Sequence, residues 1–447
     1  MNKGPGRPVF NQFQRKEFLE TLKFVNKVII SNDFSAVKII KKIKPDFYVK
    51  GADYLQKKND FTKKIIIEKK TVEKYGGKFV ALDEEMYSSS NIINNSFSNL
   101  NNEQKSFLYK IKKKYSFEKL KNYLDQLEKK SFICLGELIL DKYIFCNVVG
   151  KSGKDPHLVY EKIHSNTYIG GAGAIANQIS EFTKNVNLIS YIGAVNSKLN
   201  FIKKNISNNI NFEFVEKKNS PTIIKERFIE KNSNTKVFGV YYFNNNFIDQ
   251  KSEINIKKTL KRSMKLKKSS IIVSDYGHGL ISKNLAKYLS SSNHLYLNTQ
   301  INASNIGYHS LNNYNKINTL LINEKELRYE MRDKFSNIDD LSKKLISKTM
   351  IKNLIVTRGA KGLSMYYLEK KKILIIKCPA FANKIVDKIG AGDTILSLIS
   401  IFLSSKMPRD LSIFLASLGA AMSVERYANS ETISKDQILN YAKYILK

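Results

Sequence analysis

One stretch near the C-terminal end of the chain restricts the possible folds most: a strand-like segment, a glycine turn and an apolar run follow one another. Residues 371–377 are rich in Lys and Ile and are strand-like, whereas residues 395–403 have the composition of a buried helix. Gly390 and Gly392 stand between them, where glycine permits a tight turn and close approach to a ligand. Because the first N–H groups of a helix have no partner within it, this turn predicts a phosphate-binding site.

A carboxylate, Asp393, stands at the start of the predicted helix. The positive end of the helix dipole favours an ionised side chain there. A carboxylate beside an anion site can accept the proton of a hydroxyl group that attacks phosphorus. Most glycine turns only connect two elements, however, so this motif needs support from the rest of the chain.

The stretch 387–394, Asp-Lys-Ile-Gly-Ala-Gly-Asp-Thr, resembles the D-T-x-G-A-G-D signature of the ribokinase (PfkB) family of sugar kinases. The resemblance implies an α/β fold, namely a three-layer α/β/α sandwich with a small β lid, and phosphorylation of a sugar hydroxyl that depends on ATP and Mg²⁺. It also implies a carboxylate base and backbone N–H groups that stabilise the transferred phosphoryl group. The catalytic residues implied in this way are Asp393, Gly390, Ala391 and Gly392.

Four upstream segments resemble the part of the family that binds the sugar. Residues 132–141 read as the opening strand, residues 168–174 as the Gly-Gly motif, and residues 271–279 as a buried strand with a glycine-rich tip. Residues 221–242 alternate polar and apolar side chains, which predicts a hairpin, and two cations on this part of a lid would suit a phosphorylated sugar. The substrate-binding residues implied are Asp141, Gly170, Gly171, Asn177, Lys225, Arg227 and Asp275.

Three later segments, 320–326, 354–362 and 417–431, resemble the family's nucleotide-binding side. In the family, the Asn-x-x-Glu motif of the first segment positions Mg²⁺ and its waters, and oxygen ligands suit that ion. Asn at this place is also a good helix N-cap, and the two roles are compatible. The ATP-binding residues implied are Asn323, Glu326, Thr357, Gly359, Gly362 and Asn429, of which Asn323 and Glu326 would hold Mg²⁺ through water.

The first hundred residues alternate helical and strand-like segments, with a strand expected at residues 27–30, which is typical of a parallel α/β domain. Residues 6–8, 45–54 and 88–93, together with Arg15, resemble the latter half of a cytidylyltransferase-like domain, as in the bifunctional heptose-phosphate kinase/adenylyltransferases. The His-x-Gly-His motif of that family is absent from the sequence. We therefore expect either a truncated chain that starts late in this domain or a degenerate domain. In both cases, nucleotidyltransferase activity is doubtful.

The resemblances divide the chain into three parts. Residues 1–97 are expected to form a partial, Rossmann-like cytidylyltransferase-like domain that lacks the His-x-Gly-His segment. Residues 98–130 have amphipathic helical spacing and are expected to form a helical linker. Residues 131–447 are expected to form the ribokinase-like carbohydrate kinase domain. This order is the reverse of that in the heptose enzymes, where the kinase comes first.

Composition limits the partners of the protein. The net charge of +35 comes from lysines spread along all 447 residues, without a basic patch interleaved with aromatics, so we expect no specific nucleic-acid partner. Cys134, Cys146 and Cys378 form no close pair and indicate buried thiols of a reducing compartment. The longest apolar run, residues 394–404, is shorter than the roughly 20 residues that span a membrane. We expect a cytoplasmic protein whose partner is a small sugar or sugar phosphate. The sequence leaves open whether the protein forms a homodimer.

The function implied is ATP-dependent transfer of the γ-phosphoryl group to a hydroxyl of a sugar or a heptose-like sugar phosphate. Its place would be the synthesis of nucleotide-sugar precursors of surface polysaccharides. Two alternatives stay open. The chain is a non-catalytic sugar- or nucleotide-binding relative, which positions such as His278 in place of a family lysine would favour. Alternatively, it is a bifunctional kinase/nucleotidyltransferase, if the missing N-terminal segment exists.

Overall fold

The computed structural model describes residues 10–31, 33, 35–51, 64–82, 100–266 and 269–446. The chain divides into two compact units, and the boundary lies between Asn99 and Leu100. The predictions made for residues 6–8, 52–54 and 88–93 lie outside the described residues.

The described part of the first unit is a small parallel α/β structure. Its elements are α1 (Gln12–Glu20), α2 (Val37–Ile43), β1 (Phe47–Gly51), α3 (Lys64–Lys74) and β2 (Lys78–Leu82). Strands β1 and β2 pair in parallel, with Phe47 opposite Lys78. The Glu68 carboxylate of α3 accepts hydrogen bonds from the Tyr48 hydroxyl at 2.9 Å and from the Ala36 N–H at 2.7 Å. These bonds join α3 to the strand and to the start of α2.

The prediction of a strand at residues 27–30 is wrong, because these residues form no regular secondary structure. Within the described part of this unit, β1 and β2 pair with each other and with no third strand. A short apolar run needs a neighbouring strand for its backbone hydrogen bonds, and local composition cannot supply one.

The second unit contains two sheets. Its strands in chain order are β3 (Ser131–Gly136), β4 (Leu138–Lys151), β5 (Leu158–Gly170), β6 (Asn185–Val195), β7 (Ile210–Pro221), β8 (Ile223–Glu230), β9 (Thr235–Tyr242), β10 (Ser270–Asp275), β11 (Leu295–Thr299), β12 (Lys316–Asn323), β13 (Met350–Thr357), β14 (Leu363–Glu369) and β15 (Lys372–Cys378). The large sheet has the order β15-β14-β13-β12-β11-β10-β3-β6-β7 and runs parallel from β7 to β13. The carboxyl ends of these parallel strands therefore meet at one edge, where ligands bind in open α/β sheets.

Helices cover both faces of the large sheet. They are α4 (Asn102–Lys114), α5 (Phe117–Asp125), α6 (Gly171–Ser180), α7 (Leu199–Asn205), α8 (Gln250–Leu266), α9 (Lys283–Ser290), α10 (Glu324–Met331), α11 (Ile338–Lys348), α12 (Ala391–Ser404), α13 (Arg409–Ser423) and α14 (Lys435–Ile445). Side chains of α8 to α11 share one core cluster with alternate strand residues such as Ile133 and Val273. Helix α12 packs between α6 and α13 and contacts β10 and β11. The predicted three-layer α/β/α sandwich is confirmed, and none of the described helices is long and apolar enough to cross a membrane.

The smaller sheet, β5-β4-β8-β9, is the predicted lid. Strands β8 and β9 confirm the hairpin that was predicted for residues 221–242, and Ile224 lies opposite Tyr242. The long β4–β5 hairpin was not predicted. A single residue, Glu137, separates β4 from β3, and most residues of β5 are exposed, so no regular alternation of polar and apolar residues marks this hairpin.

Helices α4 and α5, which were expected as a linker, pack on the second unit. The ring of Phe107 lies 6.1 Å from that of Phe414, and the Tyr115 hydroxyl donates to Asp410 Oδ1 at 2.6 Å. Leu120 and Leu124 of α5 are completely buried. These contacts make the two helices part of the covering layer of the large sheet.

We predict that Leu124→Ala destabilises the second unit by about 2–5 kcal/mol, the usual range for a cavity in a packed core. The matched control on the same helix is Asn122→Ala, because Asn122 is exposed and its replacement is expected to change stability by less than about 0.5 kcal/mol. Urea unfolding of the whole chain measures both. If both variants changed the free energy of unfolding by the same small amount, α5 would be only loosely packed on the second unit.

Candidate active site

The glycine turn predicted from the sequence opens helix α12. Gly390 caps the helix with φ +87°, in the left-handed region, and a Cβ there would collide with the Asn429 amide. A Cβ on Gly392 would meet nothing within 4 Å, so the space above the turn is open. Thr394 N–H bonds to the Gly390 carbonyl at 2.9 Å, which leaves the N–H groups before it without an intrahelical partner. The turn therefore offers backbone donors to an anion.

Asp393 stands among polar and charged groups from several elements. The Tyr276 hydroxyl donates to Asp393 Oδ1 at 2.5 Å. Burial raises the pKa of Asp393 to about 7, and the nearby Asp141 carboxylate also raises it, whereas Tyr276, Asn429 and Lys225 lower it. A carboxylate with this pKa can both accept and release a proton near neutral pH, as a general base must.

Tyr276 was not singled out from the sequence, although it lies in the segment after β10 that was. Its N–H donates to Glu137 Oε2 at 3.0 Å, and its carbonyl accepts from the Asn302 and Asn305 amides at 2.8 and 2.9 Å. The Glu137 carboxylate also accepts from the N–H of His278 at 3.1 Å. Burial and the Asp275 carboxylate raise the pKa of Glu137 to about 7. No motif marks Glu137, which sits between two apolar strands.

Asp141 and Arg227, both predicted to bind substrate, form a buried ion pair between β4 and β8. Arg227 Nη1 donates to Asp141 Oδ1 at 2.6 Å, and the two side chains are 11% and 6% exposed. The other oxygen of Asp141 lies against Gly170, where any Cβ would collide with it. Gly171 begins α6 with φ +56°. The structure thus brings Asp141, Arg227 and the glycine pair together.

Lys225, the other predicted cation of the lid, lies beside this pair. Its side chain is almost fully buried, and its ammonium nitrogen lies 5.7 Å from the centre of the Tyr276 ring and 5.8 Å from that of Tyr241. Among the described residues, no hydrogen bond or ion pair to its ammonium group is found. Burial lowers the pKa of Lys225, and the Asp141 carboxylate opposes this. Lys225 is therefore a desolvated cation with capacity for an anion.

Two predicted substrate residues are placed differently from the others. The Asp275 carboxylate accepts from the Tyr314 hydroxyl at 2.8 Å and from the Gly277 N–H at 3.1 Å, and it lies 3.5 Å from His309. It points into the interior because side chains alternate along a strand, and the next residue, Tyr276, reaches Asp393 instead. The structure therefore does not bring Asp275 to the catalytic turn.

The side-chain amide of Asn177 forms hydrogen bonds with the end of α7 and the loop that follows it. It donates to the Asn205 carbonyl at 3.0 Å and accepts from the Ser207 N–H at 3.0 Å. Asn177 nevertheless lines the same cleft as Asp393 and Asn429, whose free volume of about 20 Å³ is enough for a single water molecule. The structure thus brings Asn177 near Asp393, with its amide already occupied by other groups.

Four of the predicted nucleotide-binding residues lie at or just after the ends of two neighbouring strands, whereas Glu326 lies on the first turn of α10 and Asn429 lies against Gly390. Asn323 of β12 stands opposite Thr357 of β13. The turn after β13 contains Gly359 and Gly362, both with positive φ, and a Cβ on Gly362 would collide with the Cys378 carbonyl. The structure brings these residues to the same sheet edge.

Asn323 and Glu326 form the capping box of α10. Asn323 Oδ1 accepts from the Glu326 N–H at 2.8 Å, and Glu326 Oε2 accepts from the Asn323 N–H at 2.9 Å. Glu326 Oε1 accepts from the Ile301 N–H at 3.3 Å, and burial raises the pKa of Glu326 to about 7. The part of the chain that the structure describes has no cluster of three or more acidic, His or Cys side chains fit for a metal. Each carboxylate oxygen keeps a lone pair, so the pair fits Mg²⁺ held through water rather than directly.

Asp387, the first residue of the signature, ties the lid to the glycine turn. Its Oδ1 pairs with Lys236 of β9 at 2.5 Å, and its Oδ2 accepts from the Tyr143 hydroxyl of β4 at 2.5 Å and from the Ala428 N–H at 3.1 Å. Burial raises the pKa of Asp387, but these donors outweigh it and hold the pKa below its ordinary value. No local feature of the sequence connects Asp387 with the lid.

Two family models match the chain. The model described as pfkB family carbohydrate kinase matches residues 129–436, and the model described as cytidylyltransferase-like matches residues 1–95. The second match agrees with the resemblance found for the first unit.

Curated relatives resemble the chain at low identity. The bifunctional protein HldE of Aliarcobacter butzleri is 26% identical over 331 residues, which are 72% of this chain and 66% of that protein. That of Koribacter versatilis is 22% identical over 317 residues, with 70% and 63% covered. An uncharacterized sugar kinase of Buchnera aphidicola is 25% identical over 315 residues, with 68% and 94% covered. The match spans less than two thirds of the HldE proteins' length.

Solved structures share the fold of the second unit. Phosphofructokinase-2 from Escherichia coli in complex with potassium gives a TM-score of 0.57 at 12% identity, covering 71% of this chain and all of that one. Ribokinase from Thermotoga maritima gives 0.52 at 18% identity, with 70% and 99% covered.

Proposed function

Because the chain belongs to the pfkB family of carbohydrate kinases, we propose that it transfers the γ-phosphoryl group of ATP to a hydroxyl group of a phosphorylated sugar. The observation that carries this proposal is the buried Lys225, whose ammonium group has no partner among the described residues, beside the Asp393 carboxylate and the open α12 turn. The resemblance to heptose-phosphate kinases favours a heptose-like sugar phosphate, used in nucleotide-sugar and surface-polysaccharide precursor synthesis. We place this activity in the cytoplasm.

In the proposed reaction, the acceptor oxygen attacks the γ-phosphorus, its proton passes to Asp393, and the bond to the bridging oxygen breaks to release ADP. The N–H groups of Gly390, Ala391 and Gly392 would stabilise the charge on the transferred phosphoryl group. Such transfer depends mainly on positioning and on electrostatic stabilisation. One well-placed donor of this kind is worth about 3 kcal/mol of the barrier.

The acceptor would lie between the lid and α6. Asp141 would orient sugar hydroxyls against the Gly170–Gly171 backbone, since its second oxygen lies there. Arg227 is already neutralised by Asp141, so Lys225 is the cation that remains for the phosphate of the sugar. The attraction between a buried cation and a phosphate is stronger than at the surface, because water does not screen it.

The nucleotide would lie over the ends of β12 and β13. Thr357, Gly359, Gly362 and Asn429 would border it. Asn323 and Glu326 would hold the waters of Mg²⁺, an ion that neutralises phosphate charge in such reactions.

The domain division stays a proposal. A partial cytidylyltransferase-like domain at residues 1–97 and a kinase domain from residue 131 would flank the helices at 98–130. The packing of Phe107 and Tyr115 on the second unit favours counting these helices with the kinase.

We predict that Lys225→Met raises the KM for a phosphorylated sugar about 10–100-fold, because a charge-assisted hydrogen bond of about 1.5–3 kcal/mol is lost. The KM for ATP and for any neutral sugar should stay near the wild-type value. ATP consumption with a panel of neutral sugars and sugar phosphates, including heptose phosphates, measures this.

Lys142→Met is the matched control, because Lys142 lies on the neighbouring strand and pairs with Glu226 at 2.6 Å outside the cleft. Equal turnover of neutral and phosphorylated sugars by the wild type would contradict the proposed acceptor. Absence of ATP consumption with every sugar would favour the non-catalytic alternative.

A further inference from the structure

The contact between Tyr276 and Asp393 joins residues 117 positions apart in the chain. We propose that Tyr276 is a positioning residue for the base: its hydroxyl holds Oδ1 of Asp393 and leaves the other carboxylate oxygen for the acceptor hydroxyl. This inference rests on the proposed role of Asp393. In this role, Tyr276 contacts neither the sugar nor ATP and acts through Asp393.

Tyr276 is held by its own surroundings and not by Asp393. Its backbone is bound on both sides, by Glu137 at the N–H and by Asn302 and Asn305 at the carbonyl. The following residue, Gly277, has φ +69°, and a Cβ there would collide with the Asn305 amide. Tyr276 as a whole is only 4% exposed. A side chain anchored in this way can orient a neighbour that stands on the first turn of a helix.

The Asn429 amide also faces Asp393 and lowers its pKa, but no described residue accepts a hydrogen bond of good geometry from its nitrogen. The charged groups around Asp393 do not take over the role of Tyr276 either. Asp141 of β4 and Lys225 of β8 act on Asp393 through their charge. Glu431 lines the same cleft but pairs with Arg426 at 3.1 Å. Helix α6, which packs against α12, carries no charged side chain. Tyr276 is thus a neutral donor, which stabilises the ionised carboxylate without placing a positive charge at the site.

A purely structural role predicts something different. A buried tyrosine hydroxyl usually finds a hydrogen-bond partner, and Asp393 could merely serve as that partner. In that case, loss of the hydroxyl changes stability and leaves the pH dependence of the reaction unchanged. In the positioning role, the same loss moves the pH at which the base ionises.

The test is the pH profile of kcat/KM for Tyr276→Phe. The hydroxyl lowers the pKa of Asp393, so its removal raises that pKa above about 7. We expect the acidic limb to move upward by about 1–2 pH units, the equivalent of one hydrogen bond to a charged group. Activity at pH 6.5 should fall about 10-fold or more, approach the wild-type value near pH 9, and leave the KM for ATP unchanged.

Tyr366→Phe is the matched control. The Tyr366 hydroxyl donates to Asp339 Oδ1, also at 2.5 Å, between β14 and α11, and its ring is fully buried. This variant loses the same kind of bond elsewhere in the core and should keep the wild-type profile.

A second measurement covers the case in which Tyr276→Phe folds poorly. Site-specific replacement of Tyr276 by a ring-fluorinated tyrosine makes the hydroxyl a stronger donor with little change of shape, and the acidic limb should then move to lower pH. An unchanged limb in both variants, or a loss that is equal at every pH, would overturn the inference. Activity retained by Asp393→Asn would instead overturn the proposed base.

Discussion

Asp393→Asn is expected to lower kcat about 10²–10⁴-fold, the usual contribution of a positioned general base. The amide cannot accept the hydroxyl proton, whereas the N–H groups of the α12 turn and the nucleotide side are untouched. Binding of ATP should therefore remain near the wild-type value. Steady-state kinetics with the preferred sugar and calorimetric titration with ATP measure the two effects.

The stability of the same variant separates lost chemistry from lost structure. The pKa of Asp393 is about 7 in the folded chain, against about 3.9 in an unfolded one. Ionisation is thus less favourable in the folded state, and it costs stability progressively as pH rises above 4. Asp393→Asn removes this cost, so the variant should gain thermal stability relative to the wild type between pH 5 and pH 8.

Asp340→Asn is the control for Asp393→Asn, because the Asp340 side chain is 72% exposed on α11. It should change neither kcat nor the pH dependence of unfolding. Wild-type turnover in Asp393→Asn would refute the assignment of the base, whatever its stability.

Arg227→Met is expected to destabilise the kinase unit by about 3–5 kcal/mol, because it leaves the Asp141 carboxylate buried without its cation. The pair is 2.6 Å long, and the two side chains are 11% and 6% exposed. Urea unfolding of the whole chain measures the loss, and the transition of the kinase unit is the one that ATP shifts. The double variant with Asp141→Asn should recover part of the loss.

Lys142→Met provides the comparison on the same two strands. Its pair with Glu226 is also 2.6 Å long, but the two side chains are 32% and 13% exposed, and such pairs contribute about 0–1 kcal/mol. Equal losses in the two variants would show that burial does not distinguish the pairs.

The glycine turn and the position of Asp393 on it were predictable because every part of that motif is local. Gly390 must take φ +87°, a conformation that glycine adopts without strain, and the apolar run after Asp393 can only be a buried helix. The β8–β9 hairpin was equally visible, because its residues alternate with period two. The β4–β5 hairpin was hidden, because most residues of β5 are exposed and show no regular alternation of polar and apolar side chains.

By itself, the sequence determined the parallel α/β class, the glycine turn before a buried helix and, through the resemblance to sugar kinases, the kind of reaction. Only the tertiary structure decided that Tyr276, and not Asp275, reaches Asp393, and that Asp387 binds the lid. It also decided that Arg227 is neutralised, whereas no described residue pairs with the Lys225 ammonium group. The physical reason is the same each time. Backbone conformation follows from neighbouring residues, whereas burial and pairing of a polar side chain depend on strands and helices that lie far away in the chain.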